Sequence, residues 1–295
     1  MNPALSPAIM IPVLLAVTAV TAAMLALSLR HTTPTNFDAT DAMADAHRAS
    51  AFWRASFIAY SAAAAWNFIV VFQCVSECAS TVAATGLLVV ALVFGVAGGY
   101  ANRFFAAADP LSPIGRLSTA GVPIRRITTI GLGIAAAVVV MLAGLSVALV
   151  HADSPLTGAE LRERLACGRL GLISASVLLA VGVAEIYVRN DWPAHAPLDG
   201  TNPTALHGLA VTLATVSGAL FSVFLLELYA PVVVIHEQWI LKAAEGARMN
   251  TGIDVSRWIE QEGLGRSPGA MLVQILAIVA PSLTAIGLPG FLRRR

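Results

Sequence analysis

Ile127–Val150 reads ITTIGLGIAAAVVVMLAGLSVALV, 24 residues without a charged side chain. A bilayer's hydrocarbon core is roughly 30 Å thick, and a helix needs about 20 residues to cross it. This stretch has length to spare. Ala8–Leu29 is a second such run, 22 residues long and also uncharged. Over all 295 residues, hydrophobic side chains make up 57% and charged ones 12%, with a mean hydropathy of +0.78. Soluble domains carry roughly 25% charged residues, which excludes a water-soluble core.

Working outward from these two runs gives seven candidate spans: Ala8–Leu29, Phe52–Gln73, Val82–Tyr100, Ile127–Val150, Leu170–Val188, Leu206–Val234 and Ala270–Leu288. Backbone polar groups in lipid must pair within their own segment, so these are expected as helices. The fold class is all-α: a polytopic transmembrane bundle of six or seven spans, read as a single membrane domain over 1–295. Leu206–Val234 would rise about 44 Å, too long for one crossing, so Pro231 is expected to divide it. The following 235–268 carries His236, Glu237, Lys242, Glu245 and Arg248 and reads as an amphipathic surface segment. Ala270–Leu288, with Gln274 and a central Pro281, is the weakest span by pattern.

Met1–Met10 holds no Lys or Arg, unlike a secretory signal, so the first run is expected to be a retained span. With seven spans, the basic residues (arginines and Lys242) divide eleven against seven, and the richer side is cytoplasmic. That puts the N-terminus outside and the C-terminus inside. Arginine in place of lysine (Lys242 is the sole lysine) and abundant alanine suggest a GC-rich bacterial gene, and hence a bacterial inner membrane. The net charge of +1 gives no argument for nucleic acid. The expected partners are the lipid bilayer, and a second copy or another membrane protein.

Small residues recur every fourth position at Ala210, Ala214, Gly218 and Ser222, a groove that lets another helix approach closely. Packing within one subunit is the first reading of this stripe and a homodimer face the second. Gly95 and Gly99 form a shorter version. Glu227 points roughly opposite the stripe's middle. A carboxylate inside a span is costly and belongs in a bundle interior, a cavity or a partner contact. It is weighed against a position at the membrane interface, four residues before Pro231. Glu185 is a weaker candidate, because Tyr187 and Arg189 suggest that it has reached the headgroups. Asn67 reads as an interhelical hydrogen-bonding residue.

Cys74 and Cys78 fall in the expected turn between the second and third spans. They are a disulfide candidate if the turn allows it, with two free thiols as the commoner outcome. Cys167 has no evident partner. Asp38, Asp41 and Asp45 share one helical face near Arg48, and His195, Asp199 and His207 share a loop. Both groups read as solvated surface residues, and no metal or cofactor is expected. Gly131-Leu132-Gly133 followed by Ala136 matches a dinucleotide fingerprint formally but lies in an apolar span, outside the strand–turn–helix unit the motif needs.

Several functions are excluded. Lys242 lies outside the spans' centres, so a retinal Schiff base has no lysine. His151, His207 and His236 lie near span ends, away from where membrane haems are ligated. No HExxH, Walker A or arginine ladder occurs. Three functions remain: first a non-enzymatic membrane component (sensor, assembly factor or partner subunit), then a transporter lined by Glu227, Glu185 and Asn67, then a membrane-interface enzyme using Asp38, Asp41, His47 or His195.

Overall fold

The computed structural model describes residues 41–106, 124–152, 156–195, 202–265 and 268–292. The run Ala8–Leu29, with Asp38 and Asp199, lies outside the described residues. The described chain is helical, without a strand: α1 (Asp41–Cys78), α2 (Thr81–Ala106), α3 (Ile124–Val150), α4 (Gly158–Asp191) followed by a 3-10 turn (Trp192–His195), α5 (Pro203–Thr251), the short α6 (Val255–Gln261) and α7 (Pro268–Leu292). Six of these helices are long and apolar enough to cross a membrane. The fold is an all-α polytopic bundle.

Helix ends follow local chemistry. Thr157 and Glu160 form a reciprocal capping box at the start of α4, in which each side chain accepts from the other's backbone N–H. Asn202 caps α5 by accepting from Thr204 and Ala205, and Pro203 fits the first turn, where no N–H is needed. Gly252, at φ 71°, ends α5 in the left-handed region that a side chain disfavours. Asp254 caps α6 by accepting from the Ser256 backbone N–H and hydroxyl, which hold its carboxyl below the usual range.

Pro231 does not divide the sixth run. α5 is one helix of 49 residues, and 235–251 continues it instead of forming a separate surface segment. Proline removes a single backbone donor, and the apolar residues on both sides keep the remaining ladder. The proline has no N–H to give the carbonyl of Glu227, one turn before it.

α4 lies at the centre. Of its most apolar stretch 67% is buried, against 17% for α2 and for α7. It packs against α1, α5 and α7 and more lightly against α3, whereas α2 leans chiefly on α3. Small residues set the closest approaches. Gly95, Gly98 and Gly99 of α2 lie on Gly133, Ala136 and Thr129 of α3, and a Cβ on Gly133 would fall 2.7 Å from the Gly95 carbonyl oxygen. The fingerprint-like GLGIAA run is thus one half of a helix–helix contact. The stripe on α5 is filled from the same chain: Ala210 and Ala214 pack with Ala285, Gly218 abuts Pro281, and Ser222 hydrogen-bonds Ser282 of α7 at 2.9 Å. The face that α7 covers is closed to a second copy.

Apolar side chains dominate the exposed faces of α2 and of α5 before His236, among them Val93, Phe94, Val96, Val216, Leu220 and Val223. In a bilayer such faces meet acyl chains.

Candidate functional site

Polar side chains of the bundle gather at two levels. Arg164 and Glu185 are 21 residues apart on α4, which is about 31 Å along a helix and close to the hydrocarbon thickness. Each level also carries tryptophan, as expected where a protein crosses from lipid to water.

At one level Arg164 is buried and reaches the carboxyl ends of two other helices. Its Nη1 donates to the carbonyls of Ala148 (3.1 Å), Leu149 (3.4 Å) and His151 (2.7 Å), and its Nη2 to that of Cys78 (3.0 Å). The last carbonyls of a helix have no partner within it, and the helix dipole makes that end negative. One guanidinium therefore answers the ends of α1 and α3 together. The Trp239 ring lies 5.5 Å from the Arg164 Cζ, a cation–π contact, and His236 donates from Nε2 to the Leu149 carbonyl at 2.9 Å. Four helices, α1, α3, α4 and α5, are tied at this one point. Beside it a small open cleft is lined by Arg169, Tyr229, His236, Glu237 and Gln274 among apolar neighbours.

All three cysteines converge at this level. Cys74 and Cys78 occupy the last two turns of α1, not the connecting turn, and all three thiols are free. Cys167 lies one turn after Arg164 on α4. Its Sγ donates to Glu77 Oε2 at 3.5 Å, while Cys74 Sγ donates to the Cys167 carbonyl at 3.8 Å.

The other level is built on Glu185. Its carboxylate is buried, accepts from Trp53 Nε1 at 3.3 Å and pairs with Arg189 at 3.6 Å. Trp53 stacks on Trp192 with ring centroids 6.1 Å apart. Glu185 is thus covered by α1 and not open to the surroundings of the bundle. Nearby, Asp191 pairs with His207 (2.7 Å) and His195 (3.4 Å). Among the described residues no group of His, Cys, Asp and Glu is arranged to hold a metal ion.

Between the levels, Asn67 is fully buried and donates from Nδ2 to Ser174 Oγ at 2.9 Å; Ser174 in turn donates to the Gly171 carbonyl. Asn67 Oδ1 has no hydrogen-bond partner. Ser222–Ser282 and Asn67–Ser174 are short bridges between neighbouring helices.

Glu227 stands apart from all of these. It is exposed on the outer face of α5, with Leu220, Val223 and Val234 exposed on the same side. It lies nine residues before His236, about 13 Å along the helix from the Arg164 level toward the Glu185 level. Leu225 and Leu228, on either side of it in sequence, line a small apolar cavity with Gly171, Leu172 and Ala175, so this part of α5 lies beside the stretch of α4 between Arg164 and Glu185. Glu227, Glu185 and Asn67 thus occupy an outer face, a covered end and a closed core. Arg164 and the thiol cluster were not singled out by sequence reasoning as parts of a site. Comparison with protein-family models, with curated proteins and with solved structures gives no match.

Proposed function

We propose that the protein is a non-enzymatic component of a membrane complex, and that the outer face of α5 around Glu227 receives a transmembrane helix of another membrane protein. The observation that carries this reading is an exposed carboxylate on an otherwise apolar stretch of α5, between the Arg164 and Glu185 levels, which we take to lie at hydrocarbon depth. A charge at that depth is costly unless paired. The carbonyl of Glu227 loses its own intrahelical donor to Pro231, so two acceptors stand together one turn apart from any other polar group of that face. A partner helix bearing an arginine, lysine or amide donor at this depth satisfies both. A second copy would bring a like charge and fits less well.

A transporter lined by Glu227, Glu185 and Asn67 is the second reading. It is less well supported, because these residues lie in separate environments and the cavity between α3, α4 and α5 is small and apolar. The proposed setting is a bacterial inner membrane, with the Arg164 level outside and the Glu185 level inside, as the arginine balance favours.

Native mass spectrometry from gently extracted membranes tests the partner reading. Wild-type protein is expected with a second polypeptide at fixed stoichiometry. Glu227→Leu should weaken that complex at least about tenfold, since removing one member of a desolvated charge pair costs roughly 2–5 kcal/mol. Glu245→Leu, at an exposed position farther along α5, should leave it intact. A wild-type protein that is monomeric, or a complex indifferent to Glu227→Leu, refutes the reading.

A further inference from the structure

We propose that the cleft between α4, α5 and α7 beside Arg164 binds a phospholipid by the phosphate of its headgroup, with Arg169 as the cation that holds it. The site is separate from Glu227, and the proposal does not depend on the partner assigned there. Arg169 from α4, Tyr229, His236 and Glu237 from α5, and Gln274 from α7 line one small open cleft. Arg169 Nε is buried there without a hydrogen-bond partner, and among the described residues no carboxylate pairs with its guanidinium. The contrast with Arg164, five residues earlier, is plain: that guanidinium is met by four carbonyls. An arginine facing lipid is costly unless an anion or water meets it.

Position says which anion is at hand. Helical side chains tilt toward the N-terminus of their helix, and on α4 that end is the Arg164 level. Arg169 starts about 7.5 Å deeper along the helix and so sends its guanidinium back toward that level. The anion a bilayer supplies at its edge is phosphate, and the planar guanidinium fork matches two phosphate oxygens at once. Gln274 adds an uncharged amide donor from α7. His236 adds no charge, since its Nε2 is engaged by the Leu149 carbonyl. Glu237 repels phosphate oxygens, so the cleft as a whole carries one cation and one carboxylate. A headgroup of one phosphate and one ammonium, as in phosphatidylethanolamine, matches that balance. An open cleft also suits a lipid, because the headgroup needs walls on one side while its chains stay in the bilayer. Met271 of the lining is exposed, as are Leu272 and Ile275 beyond it on α7, and these give the acyl chains an apolar surface.

The test strips the full-length protein of lipid in detergent, titrates it with phosphatidylethanolamine and counts bound lipid by native mass spectrometry. Wild type should bind one lipid more tightly than any further ones. Arg169→Gln should weaken that first step about tenfold or more, the loss of a charge-assisted hydrogen bond. Arg248→Gln, on the exposed end of α5, should leave it unchanged. Diacylglycerol, which has the chains without the phosphate, should not compete. Inorganic phosphate, which has the anion without the chains, should not displace the lipid. Phosphatidylethanolamine with a photoreactive acyl chain should cross-link to wild type around Met271, a readout that needs no variant. Equal binding by Arg169→Gln and wild type, competition by diacylglycerol, or cross-links confined to other faces would each overturn the proposal. Displacement by inorganic phosphate would make the ligand the free anion and overturn the assignment to lipid.

Discussion

Replacing Arg164 with alanine is expected to lower the stability of the bundle by about 3–6 kcal/mol, two charge-assisted hydrogen bonds at roughly 1.5–3 kcal/mol each. Four carbonyls from the ends of α1 and α3 converge on this guanidinium, and its two terminal nitrogens divide them three to one. Apart from His236 at the Leu149 carbonyl, the helices bring no other side-chain donor among the described residues to these carbonyls, and the last turn of any helix has no backbone donor left for them. Water replaces the guanidinium only where it can enter, and Arg164 is covered by Trp239 and Leu149. Arg164 also lies in the second turn of α4, where its own helix's dipole disfavours a cation. The position is stable because two opposing helix ends outweigh one. Arg164→Lys keeps the charge but loses the planar fork, so it should recover only part of the loss. Thermal unfolding in detergent measures both. An alanine variant that unfolds with wild type would mean the carbonyls find other donors and that these helices are not tied at this point.

Gly218→Leu is the second large effect. A Cβ at 218 would fall 2.8 Å from the Pro281 carbonyl oxygen and 2.8 Å from the Ala285 Cβ, closer than real Cβ atoms come. Backbone cannot yield as a long side chain can, so α7 must move away from α5. That movement also breaks Ser222–Ser282 and the bond from Ser282 Oγ to the Gly218 carbonyl at 3.1 Å. Overpacking costs typically about 1–3 kcal/mol, and a leucine against backbone belongs at or above the top of that range. Even Gly218→Ala should be measurably destabilising. Gly208, where an added Cβ meets nothing, is the control and should tolerate alanine without loss. The effect is one of folding: the leucine variant should lose folded protein in detergent even when no other polypeptide is present.

The spans are legible in the sequence because a single physical length governs them. The bilayer's thickness sets how long an uncharged run must be, and charges mark where each run ends. Pro231 misleads for a related reason. In water-soluble helices an interior proline breaks the helix, but the run around it is apolar on both sides, and one missing donor does not outweigh continued burial. The small-residue stripe on α5 is visible as a packing face. Its occupant is not, since nothing local links Gly218 to Pro281, 63 residues later.

The polar sites are less legible because each joins distant segments. Glu185 reads as emerging into headgroups next to Tyr187 and Arg189, yet Trp53, 132 residues earlier, closes over it. Arg164 reads as a loop arginine that counts toward topology. One local signal places it inside a helix: the T-x-x-E capping box at Thr157–Glu160 starts α4 before it. Cys167 is solitary in the sequence until α1 is laid beside α4. Glu227 is the opposite case, since its angle to the stripe already sends it to the outer face once the stripe is filled from within.

The central claim is that this outer face carries Glu227 at hydrocarbon depth. A spin label carried on a ketone-bearing unnatural amino acid at position 227, in protein purified alone into nanodiscs, measures it directly. The label is expected to collide readily with dissolved oxygen and poorly with a water-soluble nickel chelate, as labels at Leu220 and Val223 should. Ready collision with the nickel chelate at 227 would place Glu227 in water and contradict the account.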